Sequence, residues 1–456
     1  MSNRSVPRIS GGSPRRRRIT QAAGIALTAL TAVGLAACSS GSPGGGSTPA
    51  GSATPPGNAA SGTISWWASP ITTSGTDPRT VLISAFEKAY PNIKVNLVSA
   101  PNDTDTNRAT LTTQISGGGG PDVYMGDVIW PAQFGAHQLA VPLSQYLPKS
   151  YWDTFAQGLV QGATYKNQVY GAPFFEDQGF LYYRKDLLQK YNLPVPTTWE
   201  QLVTDAKKVQ SAGAVKDGYV FQGANYEGAT CNFMEFLADA GGTVLNSDQT
   251  KSTLDGAAAD KALSFEQSLV TSGVSPKAES TYQETQSMNA FAAGDSLFLR
   301  NWDYAYGQSQ AAPSKVIGKV GVAPMPTFSG QPTPGYSNIG GWNLYVNPHS
   351  KNIAADLTFI KWMTGNDAQT TLATQFSEIP TNATVRASAD VKKANPVLAI
   401  VSETKLVPRP AQTPDYPQVS QAIYTAVNGV LAGSAQPKAA ITKASGQINS
   451  ALSGGL

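Results

Sequence analysis

TISWWA at residues 63–68 opens the first folded stretch of the chain, and IKVNL at 93–97 and DVYM at 122–125 follow it. All three segments are short, apolar or alternating, and typical of β-strands. DPRTVLISAFEKA at 77–89 places its apolar side chains on one helical face, with Thr76 or Asp77 as the candidate cap and Pro78 in the first turn. A second helix is predicted at 104–116. Because strands and helices alternate, we expect an α/β fold with a parallel sheet and helical crossovers.

The segment before this stretch has the three-part order of a secretory signal. Arg15–Arg18 are followed by an apolar run, Ala22–Ala37, that is too short to span a membrane comfortably. We therefore predict a signal peptide at residues 1–37 and an extracytoplasmic mature protein. Small residues precede Cys38 and resemble a bacterial lipobox, which implies lipidation of Cys38 and anchoring to the outer face of the cell membrane. The arginines leave both the general and the twin-arginine export routes open.

A linker and a long folded region follow the signal. Residues 38–62 comprise the lipidated cysteine and then small, uncharged residues that are typical of a flexible tether. The 394 residues after Gly62 exceed what one hydrophobic core usually spans, so two domains are expected.

The charge balance and the cysteine count exclude several classes of function. Residues 1–37 hold six of the 33 basic residues and no acid, so the remaining chain carries 27 basic against 30 acidic residues. A chain without a basic surplus lacks the electrostatic footprint of a nucleic-acid-binding protein. If Cys38 carries lipid, Cys231 has no partner for an intramolecular disulfide. With only two histidines besides, we expect no metal site and no cofactor.

Several short segments carry a family resemblance when their order and spacing are taken together. They are PDVYMGD at 121–127, YGAP at 170–173, FLYYRKDLL at 180–188, PTTWEQL at 196–202, FAAG at 291–294, GVAPMP at 321–326, GGWNL at 340–344 and AADLTFIKW at 354–362. Together they resemble the extracellular solute-binding proteins of carbohydrate ABC importers, the family of the maltose- and trehalose/maltose-binding proteins. The resemblance covers nearly all of residues 63–456.

This resemblance implies a two-lobed α/β fold of the periplasmic-binding-protein type, with a hinge and a ligand cleft between the lobes. It places lobe one at 63–173 plus 336–385 and lobe two at 174–335 plus 386–456. Physical reasoning places a ligand at the same position, outside the carboxyl ends of parallel strands and between domains. The expected protein is a monomer that binds a sugar, delivers it to ABC permease subunits and catalyses no reaction.

A sugar presents hydroxyl groups and apolar C–H faces to its receptor. Carboxylates, amides or arginine can bind the hydroxyls, and planar aromatic rings can cover the faces. Asp127 ends the strand at 123–126, so its carboxylate is expected at the carboxyl edge of the sheet, where this family places a sugar-binding acid. Capping of the next turn is the alternative role.

The resemblance also assigns sugar contacts to residues outside this first sheet. Asp177 matches an acid or amide that contacts the disaccharide in trehalose-binding relatives, and Glu176 is its rival for that role. Glu227 lies in a polar, glycine-containing segment, 222–228, that we interpret as a loop; a solvated acid is the alternative. Arg409 stands between two prolines that stiffen its loop, and it matches a sugar-contacting arginine of the same relatives; an ordinary surface arginine is the alternative.

Aromatic and glycine residues complete the predicted site. Trp302 follows the apolar strand at 296–299 and resembles the family's stacking tryptophan, with a role in the core as the alternative. Gly341 allows close approach of the backbone, and Trp342 supplies a flat face where relatives carry leucine. Trp67 is a further candidate, because one of two adjacent tryptophans on a strand must point away from the core.

Two other function classes remain open at this point. A secreted glycosidase could use two of the predicted acids as its catalytic pair, although no hydrolase motif is present. A binding protein for another solute is also possible: a polyamine would suit the acids, whereas a polyol phosphate would require more cations than Arg409 alone. An oligopeptide is a third alternative ligand. The family resemblance favours a sugar of the maltose or trehalose class.

Overall fold

The computed structural model describes residues 60–71 and 76–454 of the chain. The predicted signal peptide, Cys38 and almost all of the predicted linker lie outside these residues. In the described part, no helix combines the length and the apolar character that crossing a membrane requires.

Thirteen strands occur in the described residues. They are β1 Gly62–Ala68, β2 Ile93–Ser99, β3 Val123–Asp127, β4 Thr164–Tyr165, β5 Gln168–Val169, β6 Ala172–Gln178, β7 Phe180–Arg184, β8 Asp217–Val220, β9 Ser296–Asn301, β10 Val320–Ala323, β11 Tyr336–Val346, β12 Ile379–Pro380 and β13 Lys405–Val407.

Eighteen α-helices accompany them in the same residues. They are α1 Pro78–Ala89, α2 Thr104–Ser116, α3 Pro131–Ala136, α4 Lys149–Trp152, α5 Gln157–Gly162, α6 Lys185–Lys190, α7 Trp199–Ser211, α8 Glu227–Asp239, α9 Ala257–Thr271, α10 Glu284–Ala292, α11 Ala305–Ser309, α12 Ile353–Met363, α13 Asn366–Phe376, α14 Ala383–Ala387, α15 Ala389–Ala394, α16 Pro396–Ile400, α17 Tyr416–Leu431 and α18 Pro437–Leu452.

The first sheet confirms the predicted alternation of strands and helices. β1 pairs in parallel with both β2 and β3, and α1 and α2 form the crossovers. α1 is capped by the Asp77 carboxylate, which accepts a hydrogen bond from the Arg79 amide. The strand order is β12-β6-β11-β3-β1-β2, with β11 antiparallel to β3 and β6, and a seventh strand, β13, pairs in parallel with the start of β11. β3 therefore ends at Asp127 in the middle of a mixed sheet.

A second sheet has the order β10-β7-β9-β8, and its outer pair β8 and β9 is parallel. The chain passes from the first sheet to the second at Gly179, the single residue between β6 and β7. A side chain at Gly179 would lie 2.5 Å from the Glu235 carboxylate and 2.7 Å from the Arg300 guanidinium. The chain returns to the first sheet between β10 and β11. These two sheets, each with its own helices, form the predicted two-lobed α/β fold.

Apolar packing covers both faces of the first sheet, and this corrects one expectation. Trp66 is fully buried and packs edge-on against Phe359 of α12, with their ring centroids 5.3 Å apart. Trp67 points to the opposite face, where it belongs to a separate buried cluster that includes Tyr124 and Trp130. The expectation that one of the two indoles points away from the core is therefore wrong, because each face of the sheet carries its own core.

A second correction concerns the segment 222–228, which the sequence analysis interprets as a loop. α8 begins at Glu227, and Asn232 ties its first turns together by donating to the Gly228 carbonyl at 2.8 Å. Almost the whole helix is buried, so its polar residues face other polar groups within the protein. Glu227 is consequently a buried first-turn residue and not a solvated loop acid.

Candidate functional site

A cavity of about 180 Å³, here called the central cavity, lies between the two sheets. It is bounded by the ends of β3 and β6 and by the middle of β11, and on the other side by the start of α8 and the segment after β9. Seven of the eight predicted site residues line it; they are Asp127, Asp177, Glu227, Trp302, Gly341, Trp342 and Arg409. The fold thus brings together residues separated by up to 282 positions in sequence.

The eighth predicted residue, Trp67, does not line the central cavity. Its indole N–H donates to the Asn107 side-chain oxygen at 2.7 Å, and only 8% of the residue is exposed. Because its donor is satisfied within the lobe, Trp67 acts as a core residue that holds α2 against β1.

Arg409 joins two acids that come from different parts of the fold. Its guanidinium donates to the Asp127 carboxylate at 2.7 and 3.4 Å and to Glu227 Oε1 at 2.9 Å. Burial disfavours the charged guanidinium, but the neighbouring Asp127 and Glu227 outweigh it and raise the pKa of Arg409. Asp127 Oδ1 also accepts from the Ile129 amide at 3.2 Å, so this acid caps a turn and binds the arginine at once.

Glu227 has further donors besides Arg409. The Tyr416 hydroxyl and the Ser420 hydroxyl, both on α17, donate to its two oxygens at 2.6 and 2.5 Å. Burial raises the pKa of Glu227, while Arg409 and the two hydroxyls lower it. This acid is therefore held in one orientation at the edge of the cavity.

β6 separates Asp177 from its rival Glu176. Consecutive side chains of a strand point to opposite faces, and only Asp177 lines the central cavity. Glu176 lines a larger cavity of about 1010 Å³ on the reverse face, where the Arg386 guanidinium donates to it at 2.5 and 3.4 Å. The geometry places Asp177 at the predicted site, while its sugar contact stays a prediction.

Two acids that the sequence analysis did not identify stand next to Asp177. Carboxylate oxygens of Asp177, Asp303 and Glu378, here called the acidic trio, lie within 4.8 Å of one another. Asp303 accepts from the backbone amides of Gln178 and Ile379 at 3.3 and 3.1 Å. By its ligand spacing, the trio is also the group of described residues that could hold a metal ion.

The carboxyl groups of the trio have raised pKa values because they are buried together. The pKa of Asp177 is raised to about 7, mainly by burial and also by the charges of Asp127 and Glu176. A hydrogen bond with Asp303 opposes this rise. Burial and the charge of Asp177 also raise the pKa of Asp303 and of Glu378. At neutral pH the trio therefore retains protons unless a cation is bound.

Trp302 forms an aromatic wall of the cavity. The Arg300 guanidinium lies 4.0 Å from its ring centroid and covers one face, and the indole N–H donates to Glu284 at 3.3 Å. Arg300 is itself fully buried and paired with Glu235 at 2.5 and 3.0 Å. A Cβ at Gly340 would lie 3.0 Å from the Asp177 Cβ and 3.1 Å from the Trp302 ring, closer than an ordinary contact, so glycine suits this close packing.

Gly341 and Trp342 occupy the neighbouring positions of β11. Gly341 has a φ of +121°, and a Cβ there would lie 2.5 Å from the Phe175 carbonyl oxygen. The expected close approach of backbone at this glycine is therefore present. Trp342 is half-buried, so part of its ring remains free to meet a ligand.

Other cavity residues were not identified from sequence. Tyr226 and Tyr304 adjoin the predicted Glu227 and Trp302 and could have been inferred from that proximity. Glu284 and Glu378 carry no comparable local signal, since each reaches the cavity only through the tertiary fold. The thiol of Cys231 also lines the cavity, and burial raises its pKa.

Comparison with known proteins supports the family resemblance. Residues 69–370 match the family described as bacterial extracellular solute-binding protein. A "Probable ABC transporter-binding protein" from Deinococcus radiodurans is 38% identical over 367 residues, which cover 78% of this chain and 86% of that protein.

Solved structures show the same relationship. Maltose-bound MalE3 from T. maritima is similar with a TM-score of 0.78 and 31% identity, over 85% of this chain and 98% of that one. An ABC transporter solute-binding protein from Thermotoga lettingae TMO, bound with α-D-tagatose, has a TM-score of 0.77 and 26% identity, over 86% and 100% of the two chains. The chain belongs to the bacterial extracellular solute-binding proteins and has their two-lobed fold.

Proposed function

We propose that this protein captures a sugar or polyol outside the cytoplasm and delivers it to the permease of an ABC importer. The convergence of aromatic rings, carboxylates and a guanidinium in one cavity between the two lobes carries this proposal. Relatives with maltose and with tagatose bound support the same ligand class. Within it, a disaccharide or oligosaccharide of the maltose or trehalose class is the proposed substrate.

In this proposal, three residues of the central cavity contact the ligand directly. Asp177 and Arg409 bind hydroxyl groups, and the free face of Trp302 covers an apolar sugar face. The ligand bridges the lobes and favours the closed form, which docks on the permease. The proposed lobes are 63–173 plus 336–385 and 174–335 plus 386–456. A lipid on Cys38 and the tether up to residue 62 would hold the protein at the membrane.

Thermal-shift measurements and calorimetry on the purified protein test the proposal. Maltose, trehalose, tagatose and mannitol should be screened, because a ligand that binds only the native state raises its melting temperature. We expect at least one of these compounds to bind and to be recovered unchanged by chromatography. Cleavage products would support a glycosidase, and the absence of any binding would contradict the proposal.

A substitution of Trp302 tests whether its ring stacks on the sugar. Trp302→Leu should weaken sugar binding about tenfold, corresponding to roughly 1.4 kcal/mol for a lost aromatic face. Trp362→Leu is the matched control, since Trp362 is a half-buried tryptophan on α12 that packs near Phe86 and does not line the cavity. Equal losses of affinity in both variants would exclude stacking on Trp302.

A further inference from the structure

The central cavity contains more carboxylates than its basic residues can neutralise. Arg409 is the basic residue among its described lining residues, and Asp127 and Glu227 already share its charge. The nearby Arg300 is paired with Glu235. In the described chain, no ion pair includes a member of the acidic trio, Asp177, Asp303 or Glu378.

Two oxygens of the trio have no hydrogen-bond donor among the described residues. They are Asp177 Oδ1 and Glu378 Oε2. Both residues line the cavity, and their exposed fractions are only 7% and 1%. A buried carboxylate needs a donor or a cation as its partner, so these acids keep their protons without a ligand and ionise only when a cationic partner is supplied. A ligand in the cavity can supply that partner.

The spacing of the trio matches a small cationic donor. An ammonium group has three N–H donors and a positive charge, and its bonds to carboxylates are about 2.8 Å long. Two acceptors around a tetrahedral nitrogen are then roughly 4.6 Å apart, and the carboxylate oxygens of the trio lie within 4.8 Å of one another, close enough for one ammonium group to reach more than one of them. Asp303 is fully buried and does not line the cavity, whereas Asp177 and Glu378 line it together with Trp302 and Tyr304. Aromatic rings in the same cavity favour a cation further.

A calcium ion would fit the spacing but not the number of ligands. Ca²⁺ requires six to eight oxygen atoms, whereas an ammonium group requires about three. Both oxygens of Asp303 already accept backbone amides, from Gln178 and Ile379. The trio therefore has too few free oxygens to enclose such an ion.

We propose that the acidic trio binds a protonated amine, so that the preferred solute is a sugar or polyol that carries a basic nitrogen. This inference rests on the proposed function, because it refines the ligand class of the same cavity. A neutral sugar still binds in this scheme, through the aromatic wall and Arg409, but it leaves the trio without a counter-charge.

Matched ligands test the inference by calorimetry on the purified protein at neutral pH. The probes are trehalose and glucose, their 2-amino derivatives, the N-acetylated forms of those amines, and CaCl₂ alone. We expect an amino derivative to bind at least tenfold more tightly than both its neutral parent and its N-acetylated form. This preference should disappear in Glu378→Gln and in Asp177→Asn.

Glu176→Gln is the control, because this neighbouring acid points to the reverse face and influences Asp177 only through its charge, so the variant should keep a preference for the amine. Equal binding of amine and neutral parent would overturn the inference and leave the proposed function intact. Binding of none of the sugars would instead contradict the proposed function. Tight binding of CaCl₂ that is lost in Glu378→Gln would assign the trio to a metal ion and overturn the amine. The wild-type comparison decides the outcome even if a variant does not fold.

Discussion

Removal of the buried guanidinium of Arg409 should destabilise the protein in a pH-dependent manner. Only 3% of this side chain is exposed, and Arg409→Met leaves Asp127 and Glu227 buried without a cation. Loss of one partner from a buried ion pair costs about 3–5 kcal/mol. Because Glu227 keeps the Tyr416 and Ser420 hydroxyls, we expect the lower end, about 3 kcal/mol, at pH 8.

The direction of the pH dependence follows from the pKa of Glu227. Arg409 lowers this pKa, so its removal raises the folded-state pKa of Glu227 further above the unfolded value. A carboxyl group whose folded pKa is raised contributes stability below its unfolded pKa and loses it as the pH rises through the folded pKa. The difference in unfolding free energy between wild type and Arg409→Met should therefore be larger at pH 8 than at pH 5.5.

Urea unfolding measures this difference, with tryptophan fluorescence and circular dichroism as two probes whose agreement checks the two-state assumption. Lys149→Gln serves as a control, because its ion pair with Asp153 is exposed and should contribute almost nothing. Asp127→Asn and Glu227→Gln, added to Arg409→Met, should restore part of the lost stability. A loss below about 1 kcal/mol, or one that shrinks as the pH rises, would refute this reasoning.

Two further substitutions test other buried positions. Glu266 is fully buried on α9, both its oxygens lack donors in the described chain, and burial raises its pKa. Between pH 5 and 8, the unfolding free energy of the wild type should therefore fall more steeply than that of Glu266→Gln, by up to about 1.4 kcal/mol per pH unit. Urea titrations at several pH values measure both curves, and parallel curves would contradict this prediction. Gly341→Ala should lower the melting temperature and the sugar affinity, because a Cβ would meet the Phe175 carbonyl at 2.5 Å in a left-handed backbone conformation. Gly446→Ala, in open space on α18, should instead be neutral or stabilising in the same thermal scan, and a similar loss in both variants would exclude a steric cause.

The first five elements could be predicted because their signals are local. Apolar spacing, a cap at Thr76 or Asp77 and the glycine run at 117–120 depend on neighbouring residues, and the observed bounds differ from the predicted ones by at most two residues. β11 was not predicted as a strand of eleven residues, because its glycines hide the pattern. The start of α8 was also missed, since glycine and polar residues at a buried helix start look like a loop.

The candidate site shows the same division between local and tertiary information. Family resemblance brought seven cavity residues to attention, and the strand alternation of β6 then separated Asp177 from Glu176. Asp303 and Glu378 could not be foreseen, because nothing near them in sequence shows that three acids meet. Trp67 was misjudged for a related reason: whether both faces of a sheet are covered is a property of the whole fold.

The ion pair between Arg300 and Glu235 has a consequence for how this protein can change its ligand. Glu235 also accepts a hydrogen bond from the Asn338 amide of β11 at 2.9 Å. Both partners of the ion pair fill the space that a side chain at Gly179 would need, where the chain leaves the first sheet. Arg300 supports the Trp302 ring as well. This ion pair thus contacts the segments near both connections between the sheets and also the aromatic wall of the cavity. A substitution at Trp302 would therefore also disturb the contacts that join the two lobes. Trp342 also lines the cavity but takes no part in the ion pair of Arg300 and Glu235, so substitutions that change the ligand specificity should be tolerated more readily there.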